Sequence, residues 1–367
     1  MKVIISGGGT GGHVFPAIAI ADAIKKNNAD ADILFVGAKG KIEMDRVPKA
    51  GYPIVGLPIR GFHRKLTFRN LMFPFKLVSS LIKARGIVKN FKPDVAVGVG
   101  GYASGPILQM ASMVGVATLV QEQNSYAGVT NKLLGKKVNT ICVAYNNMEK
   151  FFPEDKIVFT GNPVRREIFE NNITTSGAKA KLGLVEANKT ILIFGGSLGA
   201  RALNVAIESG AELLSQHPEI NIIWQVGKLY YEDYENSNVA KLPNVTVLPF
   251  IEDMASAYKA ADLVVCRSGA LTISELSLVV KAAILVPSPN VAEDHQTKNA
   301  MALVRKKAAK IVTDDEGKEK LVPLMLELIE NEVERKELCD NIRIFGRPNA
   351  ANMIAEEISK LVKSVGK

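Results

Sequence analysis

The chain has 367 residues, 47% of them hydrophobic and 23% charged, with a formal net charge of +9. That is the balance of soluble protein with a full core, at a length that suits two or three domains, and it excludes a disordered chain, a collagen and a disulfide-stapled mini-fold. Cys142, Cys266 and Cys339 are odd in number and far apart; they fit neither a disulfide framework nor a zinc site, so a reducing compartment, by default the cytosol, is expected.

The first predicted strand, Val3–Ser6, is apolar and β-branched and runs directly into the glycine-rich segment 7–12, with no room for a secretory leader. A helical stretch follows near Pro16–Lys26, then a strand at Ile33–Val36. No apolar run reaches the roughly 18 residues that cross a bilayer. Charge is unevenly placed: residues 1–165 carry 22 Lys and Arg against 10 Asp and Glu, and the remainder 24 against 27. Between Asp45 and Asp94 there is no acid but there are 11 basic residues, including Arg60, Arg64, Lys65 and Arg69. Leu71–Lys89 within it reads as an amphipathic helix, with Lys76, Ser79, Ser80 and Lys83 on one face and Leu71, Phe75, Val78 and Ile82 as an apolar stripe. Such a helix would cover its own sheet and leave a basic face in solvent. The acid-free stretch as a whole suits an anionic membrane surface. Stacking aromatics and nucleic-acid motifs are lacking, so no nucleic-acid partner is expected.

Strands at Val95–Val99 and Ala117–Gln121 bracket a helix at Ser104–Val114, and Thr140–Val143 and Ile157–Thr160 follow. After the Gly-Asn-Pro cluster at 161–163 the pattern restarts with strand Thr190–Phe194, glycines 195–199 and a helix at Ala202–Leu214. Strands at Ile222–Val226, Val245–Leu248, Leu263–Cys266 and Ala283–Val286 alternate with helices at Leu271–Val279 and Gln296–Lys306. Short apolar strands alternating with helices predict α/β architecture with parallel sheets covered on both faces. The expected layout is two Rossmann-like doubly wound domains facing a cleft, residues 1–164 and 165–345. An amphipathic helix in 346–367 could pack on either domain, including back on the first.

Ligands of open α/β sheets bind beyond the carboxyl ends of the strands, so the loops there carry the candidate chemistry. Gly7, Gly9 and Gly12 match the dinucleotide fingerprint, but Ile33–Val36 runs into Gly37, Ala38 and Lys39 where that fingerprint needs an acid; Asp30 and Asp32 lie at the wrong end. No Walker loop is present. What remains is a run of bare amides at a helix start, suited to an anion or a closely packed sugar. His13 follows it, where the positive end of the helix disfavours the imidazolium and keeps the ring able to take a proton. Tyr102 lies in a second glycine-rich turn, 98–105, and Gln121-Glu122-Gln123-Asn124 closes the next strand with four polar side chains. In the second half, Ser197 and the amides around it make another anion cradle. Glu275, shortly after the turn at 267–269, suits the hydroxyls of a ribose or the positive end of its own helix. Glu293, Asp294, His295 and Gln296 offer hydrogen-bonding groups to a polar ligand. No side-chain set has metal-ligand spacing.

The segment Ser-Gly-Gly-Gly-Thr-Gly-Gly-His-Val-Phe-Pro at 6–16 closely resembles the signature of the MurG family, transferases that add N-acetylglucosamine to lipid-linked N-acetylmuramyl-pentapeptide in peptidoglycan synthesis. The resemblance continues through Gly-Gly-Tyr-Ala-Ser-Gly-Pro at 100–106, Glu-Gln-Asn at 122–124 and Gly-Asn-Pro-Val-Arg at 161–165. It extends through Gly-Gly-Ser-Leu-Gly-Ala at 195–200, Pro-Phe-Ile at 249–251, Arg-Ser-Gly-Ala-Leu-Thr-Ile-Ser-Glu at 267–275 and Asp-His-Gln-Thr-Lys-Asn-Ala at 294–300. It implies a GT-B fold and an inverting transfer from UDP-N-acetylglucosamine to undecaprenyl-diphosphate-linked muramyl-peptide, without a cofactor or metal, at the cytoplasmic face of the cell membrane. By the family pattern Ile251 meets uracil and Glu275 the ribose. Ser197, Ala270, Leu271, Thr272, Ile273 and Ser274 line the diphosphate, and Arg165 and Gln296 close on the donor. Thr10, Gly11, Gly12 and Asn124 reach it from the first domain. The family commonly has His where this chain has Gln121, which leaves His13 as the expected base and Glu122 as its substitute. The alternatives are a diacylglycerol glycosyltransferase and a UDP-N-acetylglucosamine epimerase.

Overall fold

The computed structural model describes residues 1–59, 73–291 and 294–365. It divides into two units, Met1–Arg165 with Arg347–Lys367, and Arg166–Gly346.

Among the described residues the first unit has seven strands: β1 (Lys2–Ser6), β2 (Asp32–Ala38), β3 (Ile54–Leu57), β4 (Val95–Gly98), β5 (Ala117–Glu122), β6 (Thr140–Val143) and β7 (Ile157–Phe159). They form one sheet in the order β3-β2-β1-β4-β5-β6-β7, every pair parallel. Ile4 of β1 lies between Leu34 and Ala96 and has no exposed surface, as is usual where helices cover both faces of a parallel sheet. The helix Gly11–Asn27 covers one face. Its Val14, Ala17, Ile18 and Ala21 share a core with Ala351, Ile354, Ala355 and Ile358 of the last helix, Ala350–Val365. The amphipathic pattern of that last helix is thus accounted for: its apolar stripe completes the first unit's core.

The second unit repeats the plan with β8 (Lys189–Phe194), β9 (Ile220–Gln225), β10 (Val245–Leu248), β11 (Leu263–Cys266), β12 (Ala283–Leu285) and β13 (Lys310–Ile311), in the order β10-β9-β8-β11-β12-β13. In each sheet the order reverses beside the unit's first strand. Such a switch point, at the carboxyl edge, is where open α/β sheets take their ligands. In the first unit it lies between the loops after β1 and β4, and in the second between those after β8 and β11.

Three elements differ from expectation. The first helix starts at Gly11, not near Pro16, because the last two glycines of the loop are already helical behind Thr10, whose φ is −146°. The helix expected across Ala202–Leu214 is two, Arg201–Ser209 and Ala211–Ser215, broken at Gly210. The apolar stripe of the helix Phe73–Phe91 points outward: Phe75 is 70%, Val78 55% and Ile82 69% exposed, while Ser80, Ala84 and Val88 are buried. Of the face taken as polar, Ser80 turns inward and Lys83 Nζ bonds the Gly56 carbonyl at 2.8 Å, while Ser79 is exposed. Arg60, Arg64, Lys65, Arg69 and Leu71 lie outside the described residues.

Ile358 is fully buried against the first helix. Ile358→Ala is expected to cost about 2–5 kcal/mol of stability. In a thermal melt the first unit should lose its cooperative transition at a distinctly lower temperature, and an unchanged melt would show that the last helix is dispensable to that core.

Candidate active site

At the carboxyl edge of the first sheet the backbones of two glycine loops touch. A Cβ built on Gly101 would stand 2.3 Å from the Gly8 carbonyl oxygen, so the loops after β1 and β4 can meet only without a side chain. His13, two residues into the helix, lies across this contact. Its Nδ1 is 3.1 Å from the Gly8 carbonyl oxygen and 3.4 Å from Thr10 Oγ1. A carbonyl only accepts, so Nδ1 carries the proton and the lone pair falls on Nε2. That edge of the ring lies against Gly100, where a Cβ would be 2.8 Å from Cδ2 and 2.9 Å from Nε2. Thr10 and Gly12 are exposed and Gly11 and His13 half-buried, so the group is open to a ligand from the rim. Tyr102, 48% exposed, stands on the same rim.

The amides of this loop are not all bare. Glu43, which sequence reasoning passed over, brings a carboxylate beneath the loop: Oε2 accepts from Gly9 N at 2.8 Å and Oε1 from Ala38 N at 2.9 Å. The residue is 1% exposed. Glu43 opens the following helix, Glu43–Lys49, and folds back on the end of β2, where its two oxygens meet backbone amides and are turned away from any ribose. Its place five residues past the strand end is the one signal the sequence carries for it.

Glu122 is as deeply buried, and its carboxylate is engaged by its own loop. Oε1 accepts from the Asn124 amide at 3.0 Å and from Asn124 Nδ2 at 3.2 Å; Oε2 accepts from Gly128 N at 3.0 Å and from Asn131 Nδ2 at 2.8 Å. These bonds fix the segment that presents Asn124. Gln121 is fully buried and donates to Asn162 Oδ1 at 3.1 Å, while Gln123 donates to the Val99 carbonyl at 2.9 Å. Arg165 stacks on the Phe15 ring, its guanidinium carbon 4.3 Å from the centroid, and belongs to the first unit although the sequence placed it at the head of the second domain.

In the second unit the loop after β8 holds Ser197, half-buried. One of its amides is spent within the turn, Gly199 N bonding to the Gly196 carbonyl at 2.9 Å, and that carbonyl also accepts from Gln225 Nε2 at 2.7 Å. Beyond β11, Gly269 leads into the helix Ala270–Val279, which brings Ala270, Leu271, Thr272, Ile273 and Ser274 to the edge. Glu275 is its sixth residue, past the turn in which a helix dipole acts, so that reading of the side chain lapses. It is 9% exposed, and the fully buried Tyr258 hydroxyl donates to its Oε2 at 2.9 Å. Ile251 is 3% exposed and follows β10. His295 and Gln296 open the next helix, and Gln296 Oε1 accepts from Ser288 N at 2.9 Å. Glu293 lies outside the described residues. Arg267 bonds the Val286 carbonyl at 3.0 Å and pairs with both oxygens of Asp314, tying β11 to the chain beyond β13. Burial pushes the Cys142 thiol up to about 12 and raises that of Cys266 as well, so both are inert core residues. Among the described residues no three His, Cys, Asp or Glu form a metal-ligand group, and no helix is long and apolar enough to cross a membrane.

Residues 3–143 match the N-terminal domain of glycosyltransferase family 28, and residues 190–354 match its C-terminal domain. The chain belongs to glycosyltransferase family 28. Its relatives in the family include a protein of Bacteroides fragilis, 55% identical over 99% of this chain and 96% of its own, and one of Cytophaga hutchinsonii, 53% identical over 99% and 97%. Each is named UDP-N-acetylglucosamine–N-acetylmuramyl-(pentapeptide) pyrophosphoryl-undecaprenol N-acetylglucosamine transferase. Among solved structures, Acinetobacter baumannii MurG is 32% identical, with a TM-score of 0.73 over 98% of this chain and 99% of that one. A UDP-GlcNAc 2-epimerase of Neisseria meningitidis shares the fold at 16% identity, with a TM-score of 0.70 over 98% and 100%. The family-28 chain described here therefore has the paired Rossmann-like domains of the GT-B enzymes.

Gly100→Ala tests the geometry of the first loop pair. The added methyl would displace the His13 ring, and the native φ of +89° disfavours alanine as well. Turnover is expected to fall with UDP affinity retained, measured by steady-state kinetics and calorimetry on the same preparation.

Proposed function

We propose that the protein moves N-acetylglucosamine from UDP-N-acetylglucosamine to the 4-hydroxyl of N-acetylmuramyl-pentapeptide carried on undecaprenyl diphosphate, with inversion at the anomeric carbon. The observation that carries this reading is the 55% identity, over 99% of the chain, to a transferase named for that reaction. The epimerase alternative has a likeness of fold alone.

In this mechanism His13 Nε2 takes the proton of the acceptor hydroxyl as its oxygen attacks the anomeric carbon and the bond to UDP breaks. The tautomer set by the Gly8 carbonyl suits that role. Glu122, whose carboxylate already receives four donors, serves as the anchor of the Asn124 loop. Asn124, Tyr102, Thr10, Gly11 and Gly12 meet the sugars. On the second unit Ile251 presents its backbone to uracil and Glu275 accepts from the ribose hydroxyls. Ser197 and the helix start at Ala270–Ser274 receive the diphosphate, whose growing charge on departure is met by amides and the helix dipole, with no metal. Arg165, His295 and Gln296 complete the donor contacts.

The acceptor's lipid sets where the enzyme works. Phe75, Val78 and Ile82 stand in solvent beside Lys76 on one helix. Burying a Phe or Ile side chain is worth about 1.5–3 kcal/mol, so a few suffice for reversible docking when basic groups add attraction to an anionic leaflet. This supports a peripheral protein on the cytoplasmic face of the cell membrane.

Labelled UDP-N-acetylglucosamine and a short-chain lipid-linked muramyl-peptide, with product mapping, test the reaction. His13→Ala should lower kcat about 10²–10⁴-fold with donor affinity kept. Glu275→Ala should instead raise the donor KM about 5- to 150-fold, the cost of leaving ribose hydroxyls unmet at a buried site. Turnover should persist in EDTA. A kcat unaffected by His13→Ala would remove the base from this mechanism.

Docking is tested separately. The double change of Phe75 and Ile82 to Ser should abolish co-sedimentation with anionic vesicles and spare turnover on a water-soluble acceptor. Loss of both together would mean the helix supports the fold and not the membrane.

A further inference from the structure

We propose that Glu43 is a positioning residue that acts on His13 through the peptide group joining Gly8 to Gly9. This rests on the reading of His13 as the base and names what holds that base in its working form.

The N–H that Glu43 Oε2 accepts, at 2.8 Å, belongs to Gly9. The carbonyl facing His13 Nδ1, at 3.1 Å, belongs to Gly8. Both are ends of one amide, so carboxylate, peptide and imidazole form an unbroken chain of hydrogen bonds. An amide is a conjugated unit. A negative charge at its N–H end makes its carbonyl oxygen a stronger acceptor, and consecutive hydrogen bonds polarise one another in this way. The carbonyl then fixes the proton on Nδ1, leaves the lone pair on Nε2 and stabilises the imidazolium when Nε2 takes the acceptor's proton. Only that proton moves; Glu43 stays a carboxylate throughout.

The surroundings are shaped for this arrangement. A Cβ on Gly8 would lie 2.2 Å from the Glu43 carboxyl carbon, and one on Gly37 2.4 Å from its Cγ, so a glycine in the loop after β1 and one near the end of β2 make room for one side chain. Ala38 N holds the second oxygen at 2.9 Å, which stops the carboxylate from turning away. Gly8 at φ +150° and Gly9 at φ +91° give the peptide its orientation. A carboxylate bonded to Gly9 N also takes the place an anionic ligand would occupy at that amide.

The test uses the full chain with ¹⁵N-labelled histidine. In the wild-type protein the ring resonances of His13, assigned by comparison with His13→Gln, should show the Nδ1–H tautomer; the Nε2–H tautomer would overturn the proposal even if every variant at position 43 failed to fold. E43Q keeps the shape but sets an amide N–H₂ against one of the two backbone donors. It should lower kcat about 10- to 100-fold, as losing the partner of a working histidine does elsewhere, and leave the donor KM unchanged. In a His13→Ala background the same change should cost nothing further, because its effect runs through the ring. Wild-type kcat in E43Q, or an equal loss with His13 already removed, would sink the proposal. If His13→Ala alone kept full turnover, the base assignment itself would fall and this inference with it. A slow His13→Ala beside a fast E43Q would remove only Glu43.

Discussion

Backbone against backbone at Gly8 and Gly101 is the contact on which the first unit's site depends. The strand order reverses between β1 and β4, and the two loops that leave there must diverge to opposite faces of the sheet. Because they touch before they part, the space at their junction is filled by main chain, and the side chains that matter arrive from elsewhere. His13 comes over the top from the helix start, and Glu43 comes from below, out of a short helix beyond β2. The loop is therefore less a cradle for a ligand than a fixed plate between two side chains.

The second unit solves a related problem with side chains. Glu275 is a carboxylate on the buried side of its helix, among Leu271, Ile273 and Leu276, and it is tolerable there because the Tyr258 hydroxyl meets it. Tyr258 in turn is held edge-on against Phe194, the last residue of β8, with ring centroids 6.1 Å apart. A group at the sheet's edge is thus braced through the core of its own domain. The Arg267 pair with Asp314 braces the same loop from its other flank, tying the end of β11 across β12 to the chain after β13.

Strands were legible in the sequence wherever both faces are buried, because a fully covered parallel strand is a plain apolar run. Thr140–Val143 and Leu263–Cys266 agree to the residue, and so does the edge strand Val245–Leu248, apolar in three of its four residues though only half-buried. The edge strands Ile54–Leu57 and Lys310–Ile311 carry little such signal and were not read. Periodicity in Phe73–Phe91 gave two faces correctly but not which of them meets the sheet; small residues such as Ala84 pack as well as large ones, and an apolar stripe says nothing of what it packs on. The positions of His13 at a helix start and of Glu275 within the helix after a glycine turn were legible. Glu43 was not, since a lone acid before Met-Asp-Arg-Val-Pro reads as surface, and only the tertiary return to Gly9 and Ala38 makes it buried.

The last helix belongs to the first unit but follows the whole of the second in the chain. This imposes an order on synthesis. When a ribosome has made residues 1–165, the surface formed by Val14, Ala17, Ile18 and Ala21 has no cover, because Ala351, Ile354 and Ile358 do not yet exist. At about 5–20 residues per second the wait for them is roughly 10–40 s. The second unit, contiguous from Arg166 to Gly346, can fold in that interval, while the first remains an open-sided intermediate with apolar surface to protect. Nascent-chain chaperones would have their business with the domain that is made first and finished last.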